Sequence, residues 1–519
     1  MCHKYNRIVK SGLSGVFVTA ASNLLLFLNN TMRQLLGAKY WLAVGLVALA
    51  SLFFRQSGLT PDASWLLTMC QRMLDGERAY IDIFDTAPPI AVLLYMPGAL
   101  LYNLTGLSAE GGVYATFYAL IFGSLYLSDR ILADTTIGAI HPRLAVIGPA
   151  AIFLLVISND AFAQREHAAA ILSLPIVSIF VRRETSGKWP DRKHGLPAAI
   201  LAGVMAAIKP PLFWAPGAAL ALYYLARKPD LRFFWRSGLL IGFISTIALT
   251  AVTLLIFPAY LSENLQLMRD VYVPVRVSNT YGFTSLPFFA LTACFALIGL
   301  MSLMRPGRSG ALVTTIVSFS FLLIYFIQGK FFNYQLYPAL FFGWLAIFLA
   351  AAALLKDRPS GTNVFVAMLT IACAPIVLMS FVSFNDRRPP LAENLEWMEQ
   401  LNRPTAMAIS KDISTSFPLA QKAGAKWVDK MHGQWVVRYS WLAKDAKHLN
   451  ETQKQIILQY ADQELERTLQ TIYEKQPMLL IQDITDDRLI EELLKRDPAF
   501  LDDYYIASEN NHTRVLARR

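Results

Sequence analysis

The chain has 519 residues, 55% of them hydrophobic and only 16% charged, with a net charge of +10 and a mean hydropathy of +0.40. That balance excludes an ordinary soluble domain and points to a membrane protein. The basic excess belongs to residues 1–384, with 28 Lys and Arg against 16 Asp and Glu, while residues 385–519 hold 19 against 21; no soluble face collects it, so a nucleic-acid partner is excluded.

In chain order, residues 1–39 come first, with Lys4, Arg7, Lys10, Arg33 and Lys39 around a moderately apolar stretch, 11–28. This stretch imitates a signal peptide but lacks a small-residue cleavage site, so it reads as a cytoplasmic, amphipathic lead-in. Apolar runs of membrane-helix character follow near 40–55, 89–105, 112–127, 144–158, 168–181, 197–208, 212–226, 238–257, 284–303, 311–327, 339–355 and 363–384. Strongly basic loops at 182–193, 227–236, 305–308 and 356–358 belong on the cytoplasmic side. Placing all four there requires that one early run not cross. The run 89–105 is the candidate: it opens with Pro88-Pro89, is broken by Pro97-Gly98, and carries Tyr95 and Tyr102, which suits a helix lying in the outer interface. About 11 transmembrane helices then remain over 40–384, with the tail outside. A full crossing by 89–105 would invert every later loop.

The tail, 385–519, differs in kind. Charges are dense, Arg387-Arg388-Pro389-Pro390 marks a linker, and strand-like segments at 405–410 and 478–482 alternate with a helical 451–473. A small soluble α/β or α+β domain is expected. The four cysteines, Cys2, Cys70, Cys294 and Cys373, are scattered and none lies in the tail, so no disulfide framework or paired-cysteine metal site is expected there.

The first outer loop, 56–111, holds the densest anomaly. Asp62, Asp75, Glu77, Asp82 and Asp85 lie between two apolar runs, where acids have to be solvated, paired or put to use. Asp62 follows Pro61 and opens an amphipathic stretch, so its structural role is an N-cap or first-turn acid. Asp75-Gly76 reads as a helix stop, and Asp82 and Asp85 flank Phe84 in an extended piece. A second outer turn, 158–167, carries Asp160, Arg165, Glu166 and His167. An Arg–Glu pair capping two helix ends explains it structurally; a phosphate held by the Arg165 fork is the sharper alternative. Lys209 precedes Pro210-Pro211, where snorkelling suffices. In the loop 328–338 an interfacial aromatic belt accounts for Tyr334 and Tyr337, but not for Lys330, which reads as a phosphate ligand beside Asn333. Arg269 and Arg276 in the loop 258–283 are ordinary solvated residues able to add a cation.

Taken together, these features resemble the GT-C membrane glycosyltransferases, in particular the bacterial group related to protein O-mannosyltransferases and the aminoarabinose transferase of lipid A. The carriers are an acid opening the first outer-loop helix, Gly76, Tyr80 and Asp82 spaced as G-x-x-x-Y-x-D, and Pro88-Pro89 entering a second interfacial helix. Arg165-Glu166-His167 stands where that family has its polar outer turn, and Lys330 with Tyr334 to Pro338 is similar to its late K/R…Y…P loop. The likeness spans roughly 40–345 and leaves the tail uncovered.

The resemblance implies a polytopic α-helical membrane protein of GT-C type, with interfacial helices in the first outer loop and a small extracytoplasmic domain. Its activity would be inverting transfer of a sugar from a polyprenyl-phosphate donor to a glycan, lipid or protein acceptor, on the periplasmic side of a bacterial inner membrane. Asp62 would be the catalytic base, with Asp85 as a further catalytic candidate that holds the acceptor or a metal. Lys330, Arg165, His167, Arg269 and Lys209 would be donor-phosphate ligands, and Asp82, Tyr80, Asn333, Tyr334 and Tyr337 substrate contacts. No cofactor is required, though paired-acid relatives bind a divalent cation. Two departures stand out: Ala63 follows Asp62 where many relatives have a second acid, and Thr86-Ala87 replaces a lysine that some place before the second interfacial helix. The rival class is a transporter or flippase of lipid-linked sugars, which would show internal symmetry and mid-helix charges; neither is present. A membrane-anchored sensor would not require acids and cations in three outer loops.

Overall fold

The computed structural model describes residues 38–53, 58–137, 140–158, 161–210, 212–277, 310–355 and 392–519, with isolated positions between 282 and 295 and at 368 and 371. The lead-in 11–28, most of the runs 284–303 and 363–384, the loops 305–308 and 356–358, the linker 387–390 and Asp160 lie outside the described residues.

The described chain begins with α1 (Ala38–Leu52). The first outer loop then forms α2 (Pro61–Leu74), α3 (Pro89–Leu93) and α4 (Met96–Thr105). The run 89–105 is therefore two helices, broken at Leu94-Tyr95, one turn before Pro97. Pro97 has no amide to donate back to the Leu93 carbonyl, so the ladder of the first helix cannot continue through it, while the first turn of a new helix tolerates it. The helix α4 lies against α5 (Ala109–Leu132) at very close range. A side chain at Gly112 would meet the Gly98 carbonyl at 2.2 Å, so only glycine fits there.

Next come α6 (Arg143–Ile157), wound partly with π turns on either side of Pro149, and α7 (Arg165–Ser186). They are followed by α8 (Arg192–Ile208), α9 (Ala215–Arg227), α10 (Leu239–Ile256), α11 (Ala311–Gln328) and α12 (Tyr337–Leu354). Neighbouring pairs α5–α7, α7–α8, α8–α10 and α11–α12 pack along their lengths. The helix α12 is buried almost all round and forms the centre of the bundle, which is why its sequence shows no polar face.

Among the described residues, four helices are long and apolar enough to cross a membrane: Ala109–Leu132, Leu239–Ile256, Ala311–Gln328 and Asn333–Leu354. The eleven-crossing arrangement has a direct test. On a background without native cysteines, Lys188→Cys is expected to react only from the cytoplasmic side and Glu474→Cys only from the outer side. The reverse pattern would mean that 89–105 crosses.

The C-terminal part carries a five-stranded sheet in the order β2-β1-β3-β5-β4. The strands β1 (Thr405–Ile409), β2 (Lys426–Trp427) and β3 (Leu479–Asp483) run parallel, and the hairpin β4 (Tyr504–Glu509) and β5 (Thr513–Arg518) adds on antiparallel. The helices α13 (Trp435–Lys444) and α14 (Glu451–Lys475) connect β2 to β3, and α15 (Arg488–Arg496) follows. A capping box of Asn450 and Gln453 starts α14, satisfying two of its orphan amides reciprocally.

Candidate active site

The C-terminal domain docks on the first outer loop, and a cavity of about 1630 Å³ opens between the two. Its floor is the start of α2. Thr60, not Asp62, caps that helix: its hydroxyl accepts from the Ala63 amide at 3.4 Å, with Pro61 at the first helical position. The Asp62 carboxylate is thus left over for the cavity, where Gln164 Nε2 lies 3.4 Å from its Oδ2 and Tyr334 donates a further side-chain bond. Gln164 also donates to the Thr60 hydroxyl at 2.7 Å, tying the second outer turn to the first. Burial pushes the Asp62 carboxyl above its usual range and Glu166 adds to this, while Arg165, Tyr334 and Gln164 pull it back.

Arg165 lines the same cavity, and its Nε is buried without a hydrogen-bond partner among the described residues. A buried guanidinium donor left unused is costly unless an anion completes it. Lys330 reaches the cavity from the turn after α11, where Gly329 takes the left-handed conformation (φ +60°) that ends the helix. Its ammonium donates to the carbonyls of Tyr272, at 2.5 Å, and Val275, and sits 4.3 Å over the Tyr272 ring and 4.7 Å over the Tyr439 ring. Burial brings its pKa down to about 7, with the charge of Arg276 acting in the same direction. Asp85, Asn333 and Arg276 complete the membrane-domain side. Burial raises the Asp85 carboxyl as well, opposed by Arg165, His432 and the Ala87 amide, which donates to it at 2.6 Å.

Backbone strain gathers here too. Among the described residues five non-glycine residues have positive φ, and three of them (Tyr80, Ala163 and Phe331) adjoin the loops that build this cavity. Such outliers persist only where the surroundings over-determine them, and they concentrate at functional sites.

Six sequence candidates stand off the cavity. His167 is fully buried: its Nδ1 accepts from the Ala163 amide at 3.1 Å, so its Nε2 donates to the Leu154 carbonyl at 3.0 Å. Both ring nitrogens are spent on backbone, and the ring stacks on Phe117, which corrects its assignment as a phosphate ligand. Tyr337 and Tyr80 are likewise turned inward, their hydroxyls donating to the carbonyls of Phe153 (3.0 Å) and Ala87 (2.8 Å). Asp82 is held by Arg78 in a pair at 3.0 Å, and Arg269 points to solvent, paired with Asp270 at 2.7 Å. Lys209 does not snorkel; it meets the buried Glu166 at 2.8 Å. Lys209→Ala would strand that carboxylate, an expected loss of about 3–5 kcal/mol. A drop in unfolding temperature for Lys209→Ala, largely recovered in Lys209→Met with Glu166→Gln, is the outcome that checks this.

The domain wall of the cavity (His432, Trp435, Arg438 and Tyr439 among others) was not anticipated from the sequence. Nor was Gln164, although Thr60-Pro61-Asp62 carries a readable capping signal. Among the described residues no group of three or more His, Cys, Asp or Glu is placed to hold a metal ion.

An α-helical bundle, a first outer loop of short helices and a small sheet domain roofing the cavity together make an ArnT-like fold. Two solved structures share it: ArnT from Cupriavidus metallidurans bound to undecaprenyl phosphate (TM-score 0.54, 14% identity, 92% of this chain and 97% of that one), and the same protein in the apo state (TM-score 0.54, 14% identity, 96% and 98%). The likeness thus extends past 345 into the tail. No protein-family model matches the sequence, and no curated protein matches it significantly.

Proposed function

We propose that this protein is an inverting glycosyltransferase that moves a sugar from a polyprenyl-phosphate donor to a hydroxyl of a glycan, lipid or protein on the outer face of a bacterial inner membrane. The observation that carries this reading is one cavity holding the Asp62 carboxylate at the start of α2, with Arg165 and Lys330 around it. Asp62 takes the proton of the acceptor hydroxyl as its oxygen attacks the anomeric carbon from the face opposite the phosphate. The sugar–phosphate bond breaks, and the electron pair leaves with the polyprenyl phosphate, whose charge Arg165 and Lys330 receive. A carboxyl raised above its usual range is a stronger base than a solvated one. That the similar ArnT structure holds undecaprenyl phosphate supports this donor class. The reading uses no resident cofactor; hexosyl and pentosyl donors both fit it.

The test is transfer of radiolabelled sugar from polyprenyl phosphate to envelope acceptors by the purified protein in nanodiscs, with and without EDTA. Label is expected in the acceptor fraction. Movement of lipid-linked sugar between leaflets of proteoliposomes, without transfer, would replace this reading with the flippase. Loss of transfer in EDTA would add a divalent cation beside Asp62 and Asp85.

A further inference from the structure

The helix α7 carries charge at both ends and none between. Arg165 and Glu166 open it beside the cavity, Arg182 and Arg183 sit near its close, and residues 167–181 hold no Asp, Glu, Lys or Arg. Its 22 residues span about 33 Å at about 1.5 Å each, close to the thickness of a bilayer's hydrocarbon core. The loops at its far end therefore lie at headgroup level in the leaflet opposite the cavity.

Aromatic rings knit two of those loops into one platform. Phe180 of α7 lies 6.1 Å from Trp189 and 5.4 Å from Tyr224 of α9. Tyr224 in turn stacks at 5.2 Å on Phe233, which belongs to the short helix Arg232–Arg236. The loops 182–193 and 227–236 together hold nine Lys and Arg against three Asp and Glu. Three of the nine are engaged: Arg182 meets Asp134 at 3.8 Å, Arg183 lies 5.1 Å over the Trp189 ring, and Arg227 pairs with Glu184 at 3.3 Å. The other six, Lys188, Arg192, Lys193, Lys228, Arg232 and Arg236, are exposed, and among the described residues none of them has an ion pair. Burial of Phe233 turns its neighbours outward, leaving Leu231 77% and Trp235 54% exposed. A bare indole beside arginines is poorly placed in water and well placed in the headgroup layer.

We propose that this platform is a docking site for acidic glycerophospholipids of that leaflet: Lys228, Arg232 and Arg236 hold the headgroup phosphate while Trp235 and Leu231 enter the interface beside it. Unpaired cations alone would suit any polyanion, and an exposed Trp and Leu any apolar partner. A strip carrying both at headgroup depth fits a charged amphiphile. No part of this depends on sugar transfer.

The test uses the full chain in phosphatidylcholine nanodiscs containing phosphatidylglycerol, with one or the other lipid brominated on its acyl chains to quench tryptophan. The difference between each protein and its Trp235→Phe partner isolates residue 235. Phosphatidylglycerol is expected to be preferred over phosphatidylcholine around Trp235 by at least about 5-fold. The combined Lys228→Gln, Arg232→Gln and Arg236→Gln variant should lose that preference while keeping the wild-type unfolding temperature, since these side chains hold no ion pair. Lys444→Gln, Lys475→Gln and Lys495→Gln together remove the same charge from exposed positions of the C-terminal domain and should leave the preference intact. Salt at about 1 M, which cuts the screening length to about 3 Å, should erase it in the wild type without any substitution. Equal quenching by the two lipids in the wild type, or the same loss in both triple variants, would overturn the proposal. A Trp235 quenched by neither lipid would also overturn it, and would leave this face to a soluble acidic partner.

Discussion

Asp62→Asn is expected to lower turnover by about 100-fold or more while expression, folding and undecaprenyl phosphate affinity stay close to wild type. The substitution is clean because Thr60 supplies the cap of α2, so the amide replaces a base without loosening the helix. Gln164 retains an oxygen to bond. The acid limb of the wild-type pH profile should lie above the ordinary carboxylate range, since burial raises Asp62 and only its ionised form accepts a proton. Asp75→Asn should be nearly silent, because Asp75 is the C-cap of the same helix and exposed. Asp82→Asn should also spare turnover, as its partner Arg78 is solvent-facing. Asp85→Asn should fall between these. Steady-state transfer kinetics on the four variants decide the assignment: an active Asp62→Asn beside a dead Asp85→Asn moves the base to the other end of the loop.

Much of the helical frame was legible because apolar runs are a collective signal, insensitive to single residues. The same holds for β1, β3 and α14, whose positions follow from strand-like apolar segments and a long helical period. The hairpin of β4 and β5 escaped because Tyr505 and Ile506 face outward on an edge strand, which erases the alternation a half-buried strand usually shows. At the site, Asp62 was visible as an acid beside the bilayer, and Arg165, Lys330 and Asn333 as more polar equipment than their turns require. Tyr334 was visible through the resemblance, and all five line one cavity. His167 carried the same signal, and Tyr80 and Tyr337 were named through the resemblance, but all three serve the backbone. Sequence cannot distinguish a polar side chain aimed at a ligand from one satisfying a buried carbonyl, because both answer the same need. The domain wall was illegible for another reason: Trp65 meeting Phe417 and Trp427 is a matter of two surfaces fitting, and neither surface declares its partner.

Lys330→Ala is expected to weaken undecaprenyl phosphate binding by about 2–4 kcal/mol, the cost of removing a desolvated charge from an anion. An ammonium has three donors. Two are used on the carbonyls of Tyr272 and Val275, leaving one for phosphate. Those two bonds define the competing role, a pin that merely holds the segment 272–277 in place, and the pH dependence separates the two. With its pKa lowered to about 7, free Lys330 loses its proton in a window where an ordinary lysine keeps it. If its charge holds phosphate, wild-type affinity should fall between pH 7.5 and 9, by up to about tenfold per unit, because binding must first restore the proton. The second ionisation of the lipid phosphate, near pH 6, is complete below this window. Arg165→Ala should lose affinity but keep the slope, since guanidinium does not titrate there. Lys330→Ala should lose both. Calorimetric titration with undecaprenyl phosphate reads affinity and proton uptake together. A pH-independent affinity that survives Lys330→Ala, accompanied by a lower unfolding temperature, would leave Lys330 as the pin and Arg165 as the cation on which the donor depends.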